Sequence, residues 1–261
     1  MDNFFQGIGV LRGEVIQEMS EEKEKFFISI KTSNSTKKYQ LFFTPRYRRS
    51  LWALKEQIKN NGYSQRLIVY PRILHLPGRD KPHQVRFQLV GFDNGSNKGV
   101  AELADFEFKL AGKWQFIAVC RTPVISIHRN FSEAELEHYK SLEPVKRKKY
   151  ASASHVPLLW RDASVPPFRF NPKVEKDKQG ETFFVKIKAK FLPDKDLFGF
   201  DSLMGVPTTE LPKFIKFKDK TAKQNPRSNK PSPSKPKLKS KQNNNELKPK
   251  KKLGNIEASI D

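Results

Sequence analysis

The sequence predicts a mainly β protein whose first ninety residues form an OB-like barrel of five strands. Short runs in which apolar and polar residues alternate recur through these positions, and a period of two is typical of half-buried strands. One run has the spacing of a helix instead. It falls between the third and fourth predicted strands, as the helix of a five-stranded OB barrel does.

The five predicted strands alternate with turn-forming residues. They are Gly7–Ile16, Lys25–Lys31, Lys37–Phe43, Arg66–Leu76 and Gln84–Asp93. Leu51, Leu54 and Ile58 lie three and four residues apart, which predicts one apolar face of a helix over Arg46–Asn60. Gly62 predicts the end of this helix. A different small barrel or sandwich with one helix stays open, because strand order along the chain does not fix pairing.

Residues 94–206 predict a β-rich extension of the barrel by further antiparallel strands. A capping box at Ser132 and Glu135 predicts a short helix to about Ser141. The segment 142–172 contains five prolines and predicts a long wrapping loop. The further strands predicted within residues 94–206 are Asp105–Lys109, Trp114–Val119, Pro123–Arg129 and Glu181–Leu192. In the last of these, Lys186, Lys188 and Lys190 alternate with apolar residues, so we expect the three lysines on one side of the strand.

Residues 207–261 predict a disordered tail, since Lys, Pro, Ser and Asn dominate and little can be buried. From Lys213 to Asp261 the chain has 15 Lys and Arg against 4 Asp and Glu. The whole chain has 50 basic and 28 acidic residues, a net charge of +22, so half of the excess lies outside this tail. A field of this sign raises the local concentration of polyanions but carries no specificity.

The expected location is the cytoplasm. Met1–Val10 has neither the length nor the charge of a signal peptide, and no apolar run approaches the length of a membrane span. The single cysteine, Cys120, cannot form an internal disulfide, which fits a reducing compartment. We expect its thiol to be buried and inert.

Basic residues with aromatic neighbours form the strongest functional signal. Guanidinium groups pair with phosphates and aromatic faces stack on bases, a combination typical of single-strand binding. The candidate residues are Arg46, Tyr47, Arg48 and Arg49; Tyr70, Arg72, Arg79, Lys81 and Arg86; and Lys146, Arg147, Lys148, Lys149 and Tyr150. The second group spans the loop between strands four and five, which helps to line the oligonucleotide groove of OB folds. A solvated basic surface is the alternative for each group.

The sequence gives little support for a catalytic site or a metal site. The five histidines are scattered, only one cysteine is present, and no phosphate-binding loop occurs, so we predict no catalytic residues, no metal ligands and no cofactor. Asp194, Asp196 and Asp201 resemble a carboxylate cluster, but such residues more often cap turns. The apolar aromatic run 155–162 fits either a docking patch for a protein partner or the core.

Several runs together resemble a conserved family of cyanobacterial proteins that has no established activity. They are Leu67–Pro71, Phe87–Phe92, Trp114–Ile117, His155–Trp160 and Pro167–Pro172. The resemblance covers the body and not the tail. It implies a cyanobacterial cytoplasm and no site residue.

These features favour a non-enzymatic protein that binds RNA or single-stranded DNA through phosphate contacts and aromatic stacking. The alternative is a protein-interaction or scaffold factor whose basic tail associates with ribosomes or an anionic membrane surface. A metal-dependent nuclease ranks third, because it would depend on the aspartates between Asp194 and Asp201.

Overall fold

The computed structural model describes residues 3–20, 23–44, 48–78, 81–92, 100 and 102–215. Within these residues the protein is mainly β, as predicted. The strands are β1 (Gln6–Ser20), β2 (Lys23–Lys31), β3 (Thr36–Phe42), β4 (Ser64–Leu74), β5 (Gln84–Phe92), β6 (Glu107–Gln115), β7 (Val124–Ile127), β8 (Ser154–Leu159), β9 (Phe183–Leu192) and β10 (Leu197–Leu203). The α-helices are α1 (Arg48–Asn61), α2 (Glu133–Ser141) and α3 (Pro144–Tyr150).

The first five strands close into a barrel. β1 pairs antiparallel with β2 and with β4, and β2 pairs antiparallel with β3. β3 then runs parallel to β5, which pairs antiparallel with β4. The order around the barrel is β1, β2, β3, β5, β4, and α1 connects β3 to β4. These pairings confirm the OB-like barrel.

Apolar periodicity explains the inner face of this first barrel. On β2, Phe26, Ile28 and Ile30 are buried at every second position, as a strand with one face in the core requires. On α1, Leu54 is fully buried, and Leu51 and Ile58 pack against the same core. The three-and-four spacing read from the sequence is therefore the face that α1 presents to the barrel.

Gly62 ends α1 in the left-handed region, with φ of +79°. Its N–H donates to the carbonyl of Ile58 at 2.9 Å, so the turn satisfies one of the last helical carbonyls. We expect Gly62→Ala to lower the free energy of unfolding by about 1–2 kcal/mol, because a Cβ disfavours this conformation. No atom lies within 4 Å of the added Cβ, so crowding does not contribute. Urea denaturation beside Gly180→Ala, which adds a methyl in equally open space without positive φ, measures the difference.

The remaining strands close a second ring with the same order. β6 pairs antiparallel with β7 and β9, and β7 pairs antiparallel with β8. β8 runs parallel to β10, and β10 pairs antiparallel with β9. The order β6, β7, β8, β10, β9 repeats that of the first barrel, although the helices α2 and α3 here follow the second strand instead of the third. The extension expected beyond residue 93 is thus a ring in its own right.

β1 and β6 join the barrel and the ring by pairing antiparallel, from Gln6 opposite Ala111 to Gly9 opposite Phe108. A single apolar core crosses this joint. The ring of Phe191 lies 5.3 Å from the rings of both Tyr39 and Phe87, between centroids. The inner faces of both rings of strands therefore share one core.

Four elements differ from the expectations. The predicted strands Asp105–Lys109 and Trp114–Val119 are replaced by one continuous strand, β6. Segment 142–172 contains α3 and β8 instead of one long loop, because Pro144 occupies the first turn of a helix, where its missing N–H has no cost. β10 is a strand, although Asp201 within it was expected to cap a turn. Residues 207–215 lie in the described part, where Leu211 and Phe214 pack against the cluster around Phe5.

The remainder of the tail expected to be disordered, residues 216–261, lies outside the described residues. In the part that is described, no helix is both long and apolar enough to cross a membrane.

Candidate nucleic-acid interface

Two neighbouring strands carry three of the predicted residues on the outer face of the first barrel. On β4, Tyr70 and Arg72 alternate with inward-facing Val69 and Ile73. Arg72 is the direct partner of Arg86 on β5. Tyr70 is half-buried and Arg72 is exposed. The structure therefore brings an aromatic ring and two guanidinium groups together.

Arg72 is held in place by a buried amide. Its Nε and one terminal nitrogen donate to Oε1 of Gln88 at 3.3 and 3.1 Å. Gln88 is the direct partner of Tyr70 and is only 4% exposed. Because this fork fixes one edge of the guanidinium, the orientation of Arg72 is defined.

The first turns of α1 add a second basic and aromatic group beside these strands. Arg48 and Arg49 are exposed, and the indole of Trp52 is 73% exposed. Trp52 follows the arginines by four and three residues, so the three side chains share one side of the helix. They line a shallow, open depression of about 410 Å³.

A further groove, of about 380 Å³, connects α1 to the strands. Arg49, Ser50 and Ala53 line it from the helix, and Ile68 and Val90 line it from the outer faces of β4 and β5. Ile68 lies two residues from Tyr70 on the same side of β4. We name the set Arg48, Arg49, Trp52, Tyr70, Arg72 and Arg86 the β4–α1 surface.

The electrostatics of α1 favour an anion here. The first turn of the helix holds Arg48 and Arg49 and no acidic residue. A cation at this end opposes the helix dipole and costs about 0.3–1 kcal/mol at an exposed site. Neither arginine forms an ion pair with any described residue. A bound phosphate would offset both the dipole term and the repulsion between the two guanidinium groups.

The loop between β4 and β5 is hydrogen-bonded to the second ring through two histidines, and its role in lining a binding groove stays a prediction. His75 Nε2 donates to the carbonyl of His155 at 2.8 Å, and His83 Nε2 donates to the carbonyl of Asp196 at 2.6 Å. Both acceptors belong to the second ring, so the loop is fastened to it at both ends. Lys81, between the two histidines, remains exposed. The predicted residues Arg46, Tyr47 and Arg79 lie outside the described residues.

The cluster at residues 146–150 lies on α3 and is largely engaged. Lys146 forms an ion pair with Glu143 at 3.0 Å, and Arg147 Nε donates to the carbonyl of Leu142 at 2.5 Å. Lys148 and Lys149 are exposed. Tyr150 is half-buried under Arg129, whose guanidinium carbon lies 3.8 Å from its ring centroid. Tyr150 thus packs in the α2–α3 region, and its role as a stacking face stays a prediction.

The lysines of β9 lie on one side of the strand, as the alternation predicted. Lys188 contacts Glu107 at 3.0 Å and Asp201 at 3.9 Å. The hydrogen bond with Glu107 raises the pKa of the Lys188 ammonium. Lys186 and Lys190 form no ion pair with any described residue.

Three histidines that are far apart in the sequence meet where the loop between β4 and β5 contacts the second ring. The His75 ring lies 5.7 Å from that of His83 and 6.2 Å from that of His155, between centroids. Burial alone would lower the pKa of His75, but hydrogen bonds to Cys120 and to the His155 carbonyl raise it. Burial likewise opposes ionisation of the Cys120 thiol, yet hydrogen bonds with His75 and Thr122 lower its pKa. The Cys120 thiol was expected to be buried, but it is half-buried and interacts with His75.

Among the described residues no group of three or more His, Cys, Asp or Glu side chains is arranged to hold a metal ion. The run 155–162 places Val156 and Leu158 in the core, and Trp160 stacks on Phe200 at 4.5 Å between ring centroids. Docking of a protein partner on this run stays a prediction. Arg161 and Asp162 are the two residues of the run that are exposed and could contact such a partner.

Trp52 is the member of the β4–α1 surface that was not among the candidate residues named from the sequence. A helical projection of α1 would have shown that Trp52 lies away from the apolar face of the helix. Leu51, Leu54 and Ile58 define the buried face of α1, and Trp52 falls outside that stripe.

Comparison with known proteins adds no family to these observations. No protein-family model matches the chain, and no curated protein matches it either.

Proposed function

We propose that the protein binds single-stranded nucleic acid, RNA or DNA, on the β4–α1 surface and that it is not an enzyme. The observation that carries this proposal is Trp52, a large aromatic side chain that is 73% exposed beside two exposed arginines. An indole in water is unusual for a helix that packs on a barrel, and stacking on a base would cover it.

Each part of the β4–α1 surface has a matching part in a single strand. Arg48, Arg49 and Arg86 supply guanidinium groups for phosphates, and Trp52 and Tyr70 supply aromatic faces for bases. The groove lined by Arg49 and Ala53 of α1 lies between the two groups, and Ile68 and Val90 at its floor pack under Val100 and Leu103. A duplex hides its base faces, so the aromatic part of this surface favours single strands.

Replacement of Trp52 by alanine is expected to weaken binding of a labelled single-stranded oligonucleotide about tenfold, since one stacked base contributes about 1–3 kcal/mol. Fluorescence anisotropy of the full chain measures this change in affinity. Tyr63→Ala is the matched control, because Tyr63 is also an exposed aromatic residue, 59% exposed, but follows the other end of α1. Equal weakening in both variants would contradict stacking at Trp52.

A salt series separates phosphate contacts from stacking in the same assay. We expect Arg48→Gln with Arg49→Gln to reduce the slope of log affinity against log salt by about 0.7 for each phosphate that the variant no longer neutralises. Trp52→Ala should leave that slope unchanged. Duplex of the same sequence should bind more weakly than the single strand and be insensitive to Trp52→Ala.

A protein-interaction factor is the second candidate, and an exposed apolar run favours it. Leu203, Met204 and Val206 at the end of β10 are 42%, 47% and 89% exposed. If the full chain shows no preference for single strands and no response to Trp52→Ala, nucleic-acid binding on this surface is refuted. This second function then becomes the leading one.

A further inference from the structure

One sheet runs without interruption from the first barrel into the second ring. β4 pairs with β1, β1 pairs with β6, and β6 pairs with β9. β4 and β9 are the fourth strands of the first barrel and of the second ring, so the joint places two equivalent strands in one sheet. From β4 to β9 the sheet spans three strand spacings, about 15 Å.

Register places one row of side chains on the outer side of this sheet. Gly9 is the partner of Val69 and of Phe108, and Val69 and Phe108 face the core. The next residues therefore point outward, and Ile8 on β1 is the direct partner of Lys109 on β6. Lys109 is in turn the partner of Lys188 on β9. The row that begins at Tyr70 thus continues through Ile8 to two lysines.

Packed segments cover the rows on either side of this one. Val100 and Leu103 pack on Val10 and Ile68, so they cover the row toward α1. On the other side, Leu211 and Phe214 pack on the cluster that contains Ala111. Between these two covered rows Ile8 is half-buried, and the side chains of Lys109 and Lys188 are 17% and 31% exposed. Ile8 also packs against the cluster of Val100 and Leu103, so the central row is the least covered of the three rows rather than an open path.

The path ends in an excess of cations on the second ring. We name Lys109, Lys186, Lys188 and Lys190 the lysine face. Lys109 pairs with Glu102 at 3.1 Å, and Lys188 pairs with Glu107 and Asp201. Directly opposed like charges such as Lys109 and Lys188 repel, and these carboxylates offset that repulsion. Lys186 and Lys190 form no ion pair with a described residue, although Lys190 lies directly opposite Glu107 on β6, so the four lysines outnumber the three carboxylates near them.

We infer that a single strand bound on the β4–α1 surface continues across the joint, along Tyr70, Ile8 and Lys109, and places its phosphates on the lysine face. This inference rests on the proposed function and extends it to a site shared by the barrel and the second ring. The β4–α1 surface holds bases by stacking, whereas the lysine face holds only phosphates. Affinity should therefore increase with strand length until both surfaces are occupied.

The test compares two lengths of labelled oligo(U), about 5 nucleotides, near the lower end of the usual footprint of an OB fold, and about 20 nucleotides, beyond its upper end. The variant is Lys186→Gln with Lys190→Gln in the full chain, since neither lysine has an ion pair with a described residue that the change would break. We expect the longer strand to bind about tenfold more weakly at physiological salt, because the variant no longer neutralises two phosphates. The shorter strand should bind as tightly as it does to the wild type.

The matched control removes the same charge elsewhere, with Lys31→Gln and Lys173→Gln, two exposed lysines away from β9. Equal weakening for both lengths, or weakening no greater than in this control, would overturn the extended site. The proposed function would survive that result if Trp52→Ala still weakens binding of the shorter strand. If affinity does not depend on strand length and Trp52→Ala does not weaken binding, both the extended site and the proposed function are contradicted.

Discussion

Replacement of Gly9 by alanine is expected to lower the free energy of unfolding by about 3 kcal/mol or more, at the upper end of what overpacking costs. A Cβ at this position would lie 2.2 Å from the ring of Phe108 and 2.6 Å from the carbonyl oxygen of Glu107. The ring cannot move aside easily, because it is fully buried and packs edge-on against Phe198 at 5.0 Å between centroids. The carbonyl belongs to the paired backbone of β6. The β1–β6 joint must therefore separate or shift.

Gly91→Ala is the control for this variant. Gly91 also lies in a strand of the first barrel, yet no atom comes within 4 Å of its added Cβ. A change within about 0.5 kcal/mol is expected there, as for most open surface positions. Thermal and urea denaturation of both variants provide the comparison, with a fall in Tm of roughly 10 °C for Gly9→Ala alone. Similar stability of the two variants would show that the close approach of β1 and β6 is not required.

Acid is expected to destabilise the protein through His155. Burial lowers the pKa of this imidazole from 6.5 to about 4, and the charge of His75 acts in the same direction. The folded protein therefore takes up this proton less readily than the unfolded chain does. Stability from this group is complete above pH 6.5 and falls as the pH drops toward 4, by about 3 kcal/mol in total.

His75 does not cancel this effect, because its pKa is raised. Its contribution to stability is complete below pH 6.5 and is lost only as the pH rises through the pKa of His75 in the folded protein, which is a separate pH window.

Urea denaturation between pH 4 and 7 should show a shallower pH dependence of the free energy of unfolding for His155→Asn than for the wild type. Asparagine keeps a polar atom for the Ser126 hydroxyl, which lies 2.7 Å from His155 Nδ1. His138→Asn, at an exposed histidine of α2, should retain the wild-type slope. Parallel curves for His155→Asn and wild type would exclude this assignment.

The first barrel could be predicted from the sequence because its signals are local. Alternation marks the strands, Leu51 and Leu54 mark the buried face of α1, and Gly62 marks the end of the helix. The second ring could not be predicted in this way. Its closure depends on β6 and β9, which are far apart in the chain, and its fifth strand carries Gly199 and Asp201, residues that are common in turns.

The candidate site was predicted in part for a similar reason. Side-chain type identified the arginines of the β4–α1 surface, and strand alternation placed Tyr70 and Arg72 on one side. Sequence could not tell that Tyr150 packs under Arg129, or that His75 and His83 fasten their loop to the second ring. Those contacts depend on pairings between distant segments, for which a local pattern has no signal.

The shared core has a consequence for how the chain folds during synthesis. Tyr39 and Phe87 of the first barrel have Phe191 as a neighbour, and Phe191 is made long after them. The barrel alone would therefore leave part of its aromatic interior facing water until β9 emerges from the ribosome. Contacts of such sequence separation slow folding, since a long loop must close before they form. The incomplete chain is thus the form most exposed to aggregation, and chaperones would have their clearest role at this stage.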